Sequence, residues 1–349
     1  MVNWRDLLVS PQTPIINTLE IIDKNARQIA LVVDEEDRLL GTVTDGDIRR
    51  GLLKGRALTD HISLVMNSFP TVASPYDTRD NVLALMKIKQ LHQIPVVDED
   101  GRIVHVEILD ELLRPKKKEN WVVLMAGGLG TRLHPLTHDC PKPLLKVGDK
   151  PILETILQSF VDQGFYKFYI SVKYKAEMIQ KHFGSGERWG VTIRYIEEQQ
   201  SLGTAGALSL LPARPTDPFF VMNGDLLTKV HFEQLLDFHK NYQAHATMCV
   251  REYDHQIPYG VVRLDKQRLT SIEEKPIQRF FVNAGIYVLN PSVLEYIPHN
   301  TYLDMPSLFD KLLKEAKDTI AFPIREYWLD IGRITDFEKA NREYMEVFS

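Results

Sequence analysis

The sequence predicts an α/β protein in two parts. Residues 1–115 read as a duplicated small α/β module, and residues 121–349 as a larger domain on a mostly parallel mixed sheet. Three observations predict this. The first hundred or so residues repeat with a period of roughly 64, too long for a solenoid unit but suited to a duplicated module. From Trp121 onward, short apolar runs alternate with stretches of helical spacing, the pattern of helices covering a parallel sheet. The first of those runs, Trp121 to Met125, stops at a loop with three glycines in four positions.

In the repeat, Ile29 to Gly41 (IALVVDEEDRLLG) is echoed by Ile94 to Val104 (IPVVDEDGRIV). Each copy reads as strand, acidic turn (Asp34 to Arg38; Asp98 to Arg102), strand and short helix. Helical spacing precedes each copy, over Thr18–Ala30 and over Thr78–Leu91, where Val82, Leu85, Met86 and Ile88 are apolar. The pair resembles a tandem CBS (Bateman) module, which implies binding of AMP, ADP or ATP and a tendency to self-associate. Gly41 to Asp47 (GTVTDGD) keeps the family's ribose-contacting pattern, with Thr44 and Asp47 as the implied ligand contacts. The second copy places Ile108 and Glu111 at those positions, and Ile108 has no side-chain hydrogen bond to give. Nucleotide sensing and a purely structural platform both stay open. Residues 116–120, within the polar run RPKKKEN, read as a linker.

The glycine loop is the centre of the larger domain. Ala126, Gly127, Gly128, Gly130 and Thr131 present backbone with little side chain in the way, so amide N–H groups can face an anion. Arg132 adds a planar donor fork, and Lys142 stands between Pro141 and Pro143. The set suits a polyphosphate. It is neither a Rossmann fingerprint, since Leu133 stands where a glycine is needed, nor a Walker A loop. From Gly127 to Pro143 the sequence fits GGxGTRLxPLTxxxPKP, the signature of the sugar-1-phosphate nucleotidyltransferases, which it closely resembles. That resemblance implies a Rossmann-like, GT-A-type domain and a reaction between a nucleoside triphosphate and a sugar 1-phosphate, with Arg132 and Lys142 as catalytic residues.

Downstream, an amphipathic helix runs from Pro151 toward Gly164, followed by a strand (165–172), a helix (175–183) and a strand (191–196). Gly203-Thr204-Ala205-Gly206 lets a turn come close to a flat ligand, and resembles the LGTAG form of guanylyltransferases. Glu198 falls where uracil- and thymine-selective relatives carry glutamine. A carboxylate accepts from guanine N1–H and N2–H₂, which favours GTP. A register displaced by one or two would substitute Gln199 or Gln200, so uridylyl and thymidylyl transfer stay open.

Phe219 to Met222 is a buried strand that delivers Asp225 to its carboxyl end, where open α/β sheets bind ligands. The resemblance makes Asp225, with Asp330 of Trp328-Leu-Asp-Ile-Gly332, the holders of Mg²⁺ (or Mn²⁺), an ion that needs few protein ligands beside substrate phosphates. It likewise makes Gly260, Glu274, Lys275 and Asn283 the sugar-phosphate half of the pocket. The tail from Thr335 to Val347 has the spacing of a closing helix. The CBS–transferase order is similar to guanylyltransferases of legionaminic acid pathways, which favours glucosamine 1-phosphate; mannose 1-phosphate and a heptose 1-phosphate stay open.

Composition sets limits. The net charge of −5, without a long basic face, speaks against nucleic acid or an anionic membrane as main partner. Two cysteines, no basic-then-apolar leader and no apolar run of membrane length point to a cytoplasmic protein. Of the eleven histidines, His134 and His138 have helical metal spacing, but they sit inside the signature at positions the family leaves variable and read as incidental. A reading from another class, a nucleotide-sensing scaffold with a dead centre, is disfavoured by the joint presence of Arg132, Lys142, Asp225, Lys275 and Asp330.

Overall fold

The computed structural model describes residues 4–348; the first three residues of the expected tandem module and the last of the expected transferase domain lie outside them. The chain divides into two compact units, one up to Pro115 and the other from Lys116.

In the first unit, β1 (Leu8–Val9), β2 (Ile29–Val33) and β3 (Leu39–Thr44) form a three-stranded sheet, and β4 (Gln93–Val97) pairs with β5 (Ile103–Ile108). Helices α1 (Ile15–Asn25), α2 (Asp45–Leu53), α3 (Arg79–Lys89) and α4 (Leu109–Leu113) complete it. The repeat is reproduced atom for atom in the turns. Asp34 Oδ1 accepts from the N–H groups of Glu36 and Arg38, and Asp98 Oδ1 accepts from those of Asp100 and Arg102. The two turns also bond to each other, Leu39 N to Gly101 O and Ile103 N to Asp37 O. Two expectations need correction. The first helix spans Ile15–Asn25 rather than 18–30, because Ala26 turns left-handed (φ 51°) and Ile29 and Ala30 enter β2. In α3, Val82 and Met86 are buried but Ile88 is 79% exposed, so the apolar stripe is narrower than its spacing suggests.

The second unit is built on a seven-stranded sheet. Its strands are β6 (Lys118–Met125), β9 (Phe165–Val172), β10 (Thr192–Glu197), β11 (Phe219–Asn223), β13 (Ala246–Gln256), β16 (Ile277–Leu289) and β17 (Thr319–Ile324), in the spatial order β10-β9-β6-β11-β16-β13-β17. Only β16 runs against the rest. Strand β6 starts at Lys118, which pairs with Phe165, so three of the five residues expected in the linker are sheet. Strand β10 starts one residue later than expected, leaving Val191 outside.

Helices α5 (Ile152–Val161), α6 (Ala176–Phe183), α7 (Gly203–Gly206), α8 (Phe232–Asn241), α9 (Met305–Lys314) and α10 (Ile334–Phe348) lie along this sheet. One core centres on Phe160, whose ring stacks on Phe232 and meets Phe165 and Phe220 edge-on; a second holds Tyr169, Val221, Tyr287 and Leu308. Short pairs β7 (Lys146–Val147) with β8 (Lys150–Pro151), β12 (Leu226–Thr228) with β18 (Trp328–Asp330), and β14 (Val261–Asp265) with β15 (Arg268–Glu273) lie outside the main sheet. Helix α10 returns to the first of them: Gly148 N donates to Asn341 Oδ1, and any Cβ at Gly148 would strike the Tyr344 ring.

His239 of α8 is 1% exposed, with Nδ1 2.8 Å from Thr247 Oγ1 of β13. Burial, then the charges of Lys240 and His245, push its pKa from 6.5 down to about 4. The unfolded chain therefore takes up a proton that the folded one refuses. Stability is intact above pH 6.5 and falls as pH drops toward 4, by about 3 kcal/mol from this residue. Urea midpoints should decline over that window more steeply in the wild type than in His239→Asn; equal slopes would clear His239.

Candidate active site

In the order β10-β9-β6-β11, chain direction switches sides between β6 and β11, the point where open α/β sheets leave a crevice at their carboxyl ends. Both strands end there together: Gly224 N donates to Met125 O at 2.8 Å, and a Cβ on Gly224 would lie 2.6 Å from that oxygen. Ala126 N donates to Ser171 O, pinning the glycine loop to β9. Gly127 is required by Glu198, whose Oε1 would sit 2.7 Å from a Cβ there. Gly130 is left-handed (φ 64°) and presses on Thr137 and Lys142, while the Thr137 hydroxyl donates to Gly130 O. Thr131 begins a 3₁₀ turn anchored by buried Leu133. Among the described residues, the N–H groups of 127–130 meet no hydrogen-bond acceptor. The loop thus offers a row of free donors over a fixed base.

Charge gathers beside it. Lys142 occupies a 3₁₀ turn after Pro141 and is 8% exposed, and its Nζ donates to Asp225 Oδ2 at 2.5 Å. Ile331 N donates to Asp225 O, and Leu226 pairs with Asp330 across β12 and β18, so Asp225, just ahead of β12, stands beside Asp330 at the end of β18. Asp330 lies at the exposed rim, yet enough protein surrounds its carboxyl that burial first, and the Asp225 charge second, raise its pKa; Lys142 and Arg132 act the other way. The Arg132 guanidinium lies against Gly332, 3.4 Å from where a Cβ would stand.

A divalent ion suits this arrangement. Four buried side-chain atoms among the described residues lack a hydrogen-bond partner, and two of them are Asn223 Oδ1 and Asp225 Oδ1 at the end of β11. An orphaned, buried carboxylate oxygen next to a second, repelled carboxylate is what a hard cation relieves. No group of three or more ligand-type side chains occurs among the described residues, so the remaining coordination would fall to phosphate and water.

On the other side of the loop, Glu198 accepts from Ser171 Oγ (2.7 Å) and from Leu202 N (3.0 Å), which holds it beside Gly127 with lone pairs to spare. Gly203 and Thr204 are differently engaged. A Cβ on Gly203 would lie 2.7 Å from Leu303 O, Ala205 N and Gly206 N donate to that same oxygen, and the Thr204 hydroxyl accepts from Met305 N. These glycines also let residues 301–304 approach closely, just ahead of α9. Ser171 and Asn223, both polar residues closing apolar strand runs, were not singled out from the sequence; that break in the pattern was the available signal.

The sugar-phosphate set divides. Asn283 stays at the sheet edge, where its Nδ2 donates to Tyr287 OH and Gly285 packs on Asn223. Gly260, Glu274 and Lys275 lie on an exposed arm made of the outer halves of β13 and β16 and the β14–β15 hairpin. Gly260 and Glu274 meet, a Cβ on the glycine falling 2.9 Å from Glu274 Oε2. No hydrogen bond or ion pair among the described residues joins these three to Lys142 or Asp225. The arm is carried by the ladder, in which β13 and β16 keep pairing from Val250–Asn283 to Gln256–Ile277.

In the first unit, Thr44 and Asp47 line a cavity of about 300 Å³ between the repeats, with Arg50, Asn67, Gln93 and Pro95. Asp47 Oδ2 accepts from Thr44 N and Thr44 Oγ1, closing the cap of α2, and Oδ1 accepts from Arg50. In the second copy Glu111 pairs with Arg27 at 2.9 Å beside a cavity of only about 60 Å³.

A family model described as nucleotidyl transferase matches residues 121–347, and a CBS domain model matches residues 2–54 and 61–106. The chain belongs to the nucleotidyl transferase family. Its transferase domain is 38% identical over 224 residues to a protein named mannose-1-phosphate guanylyltransferase catalytic subunit beta from Drosophila pseudoobscura pseudoobscura, covering 62% of this chain and 60% of that one. A mannose-1-phosphate guanyltransferase from Candida albicans is 33% identical, with 65% of each chain covered. The chain thus spans about three-fifths of the length of the first of these relatives. Among solved structures, HddC from Yersinia pseudotuberculosis superposes with a TM-score of 0.51 at 28% identity, over 64% of this chain and 99% of that one, and has also been solved complexed with GMP-PN. No helix among the described residues is long and apolar enough to cross a membrane.

Because burial and the Asp225 charge raise the Asp330 pKa, Asp330→Asn in this transferase domain should raise the melting temperature of ion-free protein slightly; added Mg²⁺ should raise that of the wild type and not that of the variant. Thermal scans with and without the ion would show it; a lowered ion-free melting temperature would contradict the assigned repulsion.

Proposed function

We propose that the chain transfers a nucleotidyl group from a nucleoside triphosphate, GTP by preference, to a sugar 1-phosphate with release of pyrophosphate. The observation that carries this is the partly buried Lys142–Asp225 pair with Asp330 and Arg132 around it, Lys142 lying against Gly130 of a loop of unsatisfied amides.

An oxygen of the sugar phosphate attacks the α-phosphorus; a new P–O bond forms, and the bond to the β-phosphate breaks with its electron pair leaving on pyrophosphate. The nucleophile is already ionised at neutral pH, so no general base is needed, and positioning with charge stabilisation does the catalysis. The 127–130 amides cradle phosphate oxygens, and Arg132 and Lys142 offset the charge that collects on the leaving group. A Mg²⁺ or Mn²⁺ on Asp225 and Asp330 would add Lewis-acid neutralisation of phosphate charge. Lys275 and Glu274 meet the sugar phosphate and hydroxyls. Replacing Lys142 by Ala should lower kcat on the order of 10²–10³-fold, measured as pyrophosphate release; wild-type turnover would remove it from the catalytic set.

Glu198 beside the loop, and the names of the relatives, support guanine. Those names also support mannose 1-phosphate as acceptor, whereas the domain order supports glucosamine 1-phosphate. Pyrophosphate release from a panel of triphosphates and sugar phosphates separates these, and silence across the panel would leave a scaffold. Glu198→Gln should cost about 10–100-fold in kcat/KM for GTP, the scale of a lost hydrogen bond to a charged group, and spare UTP. For the first unit, the Thr44–Asp47 cavity supports a single adenine-nucleotide site; AMP or ATP should change the transfer rate in the wild type and not in Asp47→Ala.

A further inference from the structure

The two ends of the glycine loop face different neighbours. A Cβ at Gly130 would meet Thr137 and Lys142, on the side of the phosphate-binding cations. A Cβ at Gly127 would meet Glu198 Oε1 at 2.7 Å and Lys173 Cβ at 3.5 Å. Lys173 is not part of the phosphate machinery, yet it stands beside the carboxylate that faces the nucleobase.

Register puts it there. Strand β9 ends at Val172 and β10 at Glu197, and these two residues are partners across a parallel ladder. Glu198 N then donates to Val172 O, so Lys173 and Glu198 come next on adjacent strands, at the carboxyl edge of the sheet. Beyond Lys173 the chain turns left-handed at Lys175 (φ 51°), and Tyr174 and Lys175 both donate to carbonyls of residues 137–138. Lys173 goes elsewhere: its Nζ donates to Ser201 Oγ at 2.8 Å. Ser201 precedes Leu202, whose N–H holds Glu198, so one turn fixes both a carboxylate and an ammonium. The ammonium forms no ion pair among the described residues, and of its three N–H groups Ser201 takes one.

A carboxylate alone is a weak judge of purines. It accepts from guanine N1–H and N2–H₂, but adenine also has an amino group to offer. The two bases differ most plainly at position 6, an acceptor oxygen in guanine and a donor amino group in adenine. A site for guanine therefore wants a donor beside its carboxylate.

We propose that Lys173 is a specificity-determining residue whose Nζ donates to guanine O6 while Glu198 accepts from N1–H and N2–H₂. Ser201 holds the ammonium at that edge. Adenine in the same place would set its amino group against an ammonium that has no lone pair, and both donors would leave water without a partner.

This rests on the guanine reading, and one panel tells the two apart. kcat/KM is measured as pyrophosphate release in the wild type and in full-length Lys173→Met. The substrates are GTP, 6-thio-GTP (a weak acceptor at position 6, with N1–H and N2–H₂ kept) and ITP (O6 kept, N2–H₂ lost). The wild type should prefer GTP to 6-thio-GTP by about 10-fold or more. Lys173→Met should bring that ratio near unity while keeping the preference for GTP over ITP that Glu198 gives. An equal loss on all three substrates would assign the lysine to the triphosphate and overturn the proposal, and so would unchanged ratios. A wild type that does not tell GTP from 6-thio-GTP would overturn it without any variant. Lys173 is half-buried and its head group lies against exposed Ser201, so the variant should fold. Should it not, Ser201→Ala, which releases the ammonium, takes its place with the same expectation. A wild type that uses ATP or UTP as readily as GTP would end the guanine reading itself, and one silent with every triphosphate the transferase reading.

Discussion

The Lys142–Asp225 ion pair is the constraint on which the transferase unit depends. Removing two charges from water is costly, and the cost is met only where geometry is fixed and partners are supplied. Here the lysine arrives on a proline-bounded turn that packs against Gly130, and the aspartate follows two residues after a strand whose first four residues are buried. The pair ties the glycine loop to the switch point of the sheet. It also leaves one Asp225 oxygen without a partner and a second carboxylate repelled by the first. That residual imbalance gives the site an appetite for cations and for the anions that bring them.

What the sequence made legible was local. Glycines and prolines act on their own backbone, so the loop from Ala126 to Pro143 and the strand before it could be read directly, as could the delivery of Asp225 by a strand end. Long-range placement was harder. Nothing in the local pattern indicates that Asp330 pairs beside Asp225 through β12 and β18, or that Ser171 holds Glu198. The Gly203–Gly206 turn shows the same limit, because a glycine makes room without saying for what; on one side that room is taken by the 301–304 backbone.

The first unit shows duplication followed by divergence. Its acidic turns are equivalent down to the amides they accept from, and they bond to each other across the repeat. The helix starts diverged. One keeps Thr44 and Asp47 in a reciprocal cap at the wall of a cavity, whereas the other spends its acidic residue on Arg27 and closes. The changes from threonine to isoleucine and from aspartate to glutamate at the cap thus accompany a much smaller cavity.

The wide spacing of the charged residues bears on how the molecule comes to be. Lys142, Asp225 and Asp330 are separated by 83 and 105 positions, and β18 reaches β12 only when the strands between them have been laid down. The full set of three charges is therefore complete only once the last 20 or so residues of the chain have been made and β18 has joined β12, long after the glycine loop has left the site of synthesis.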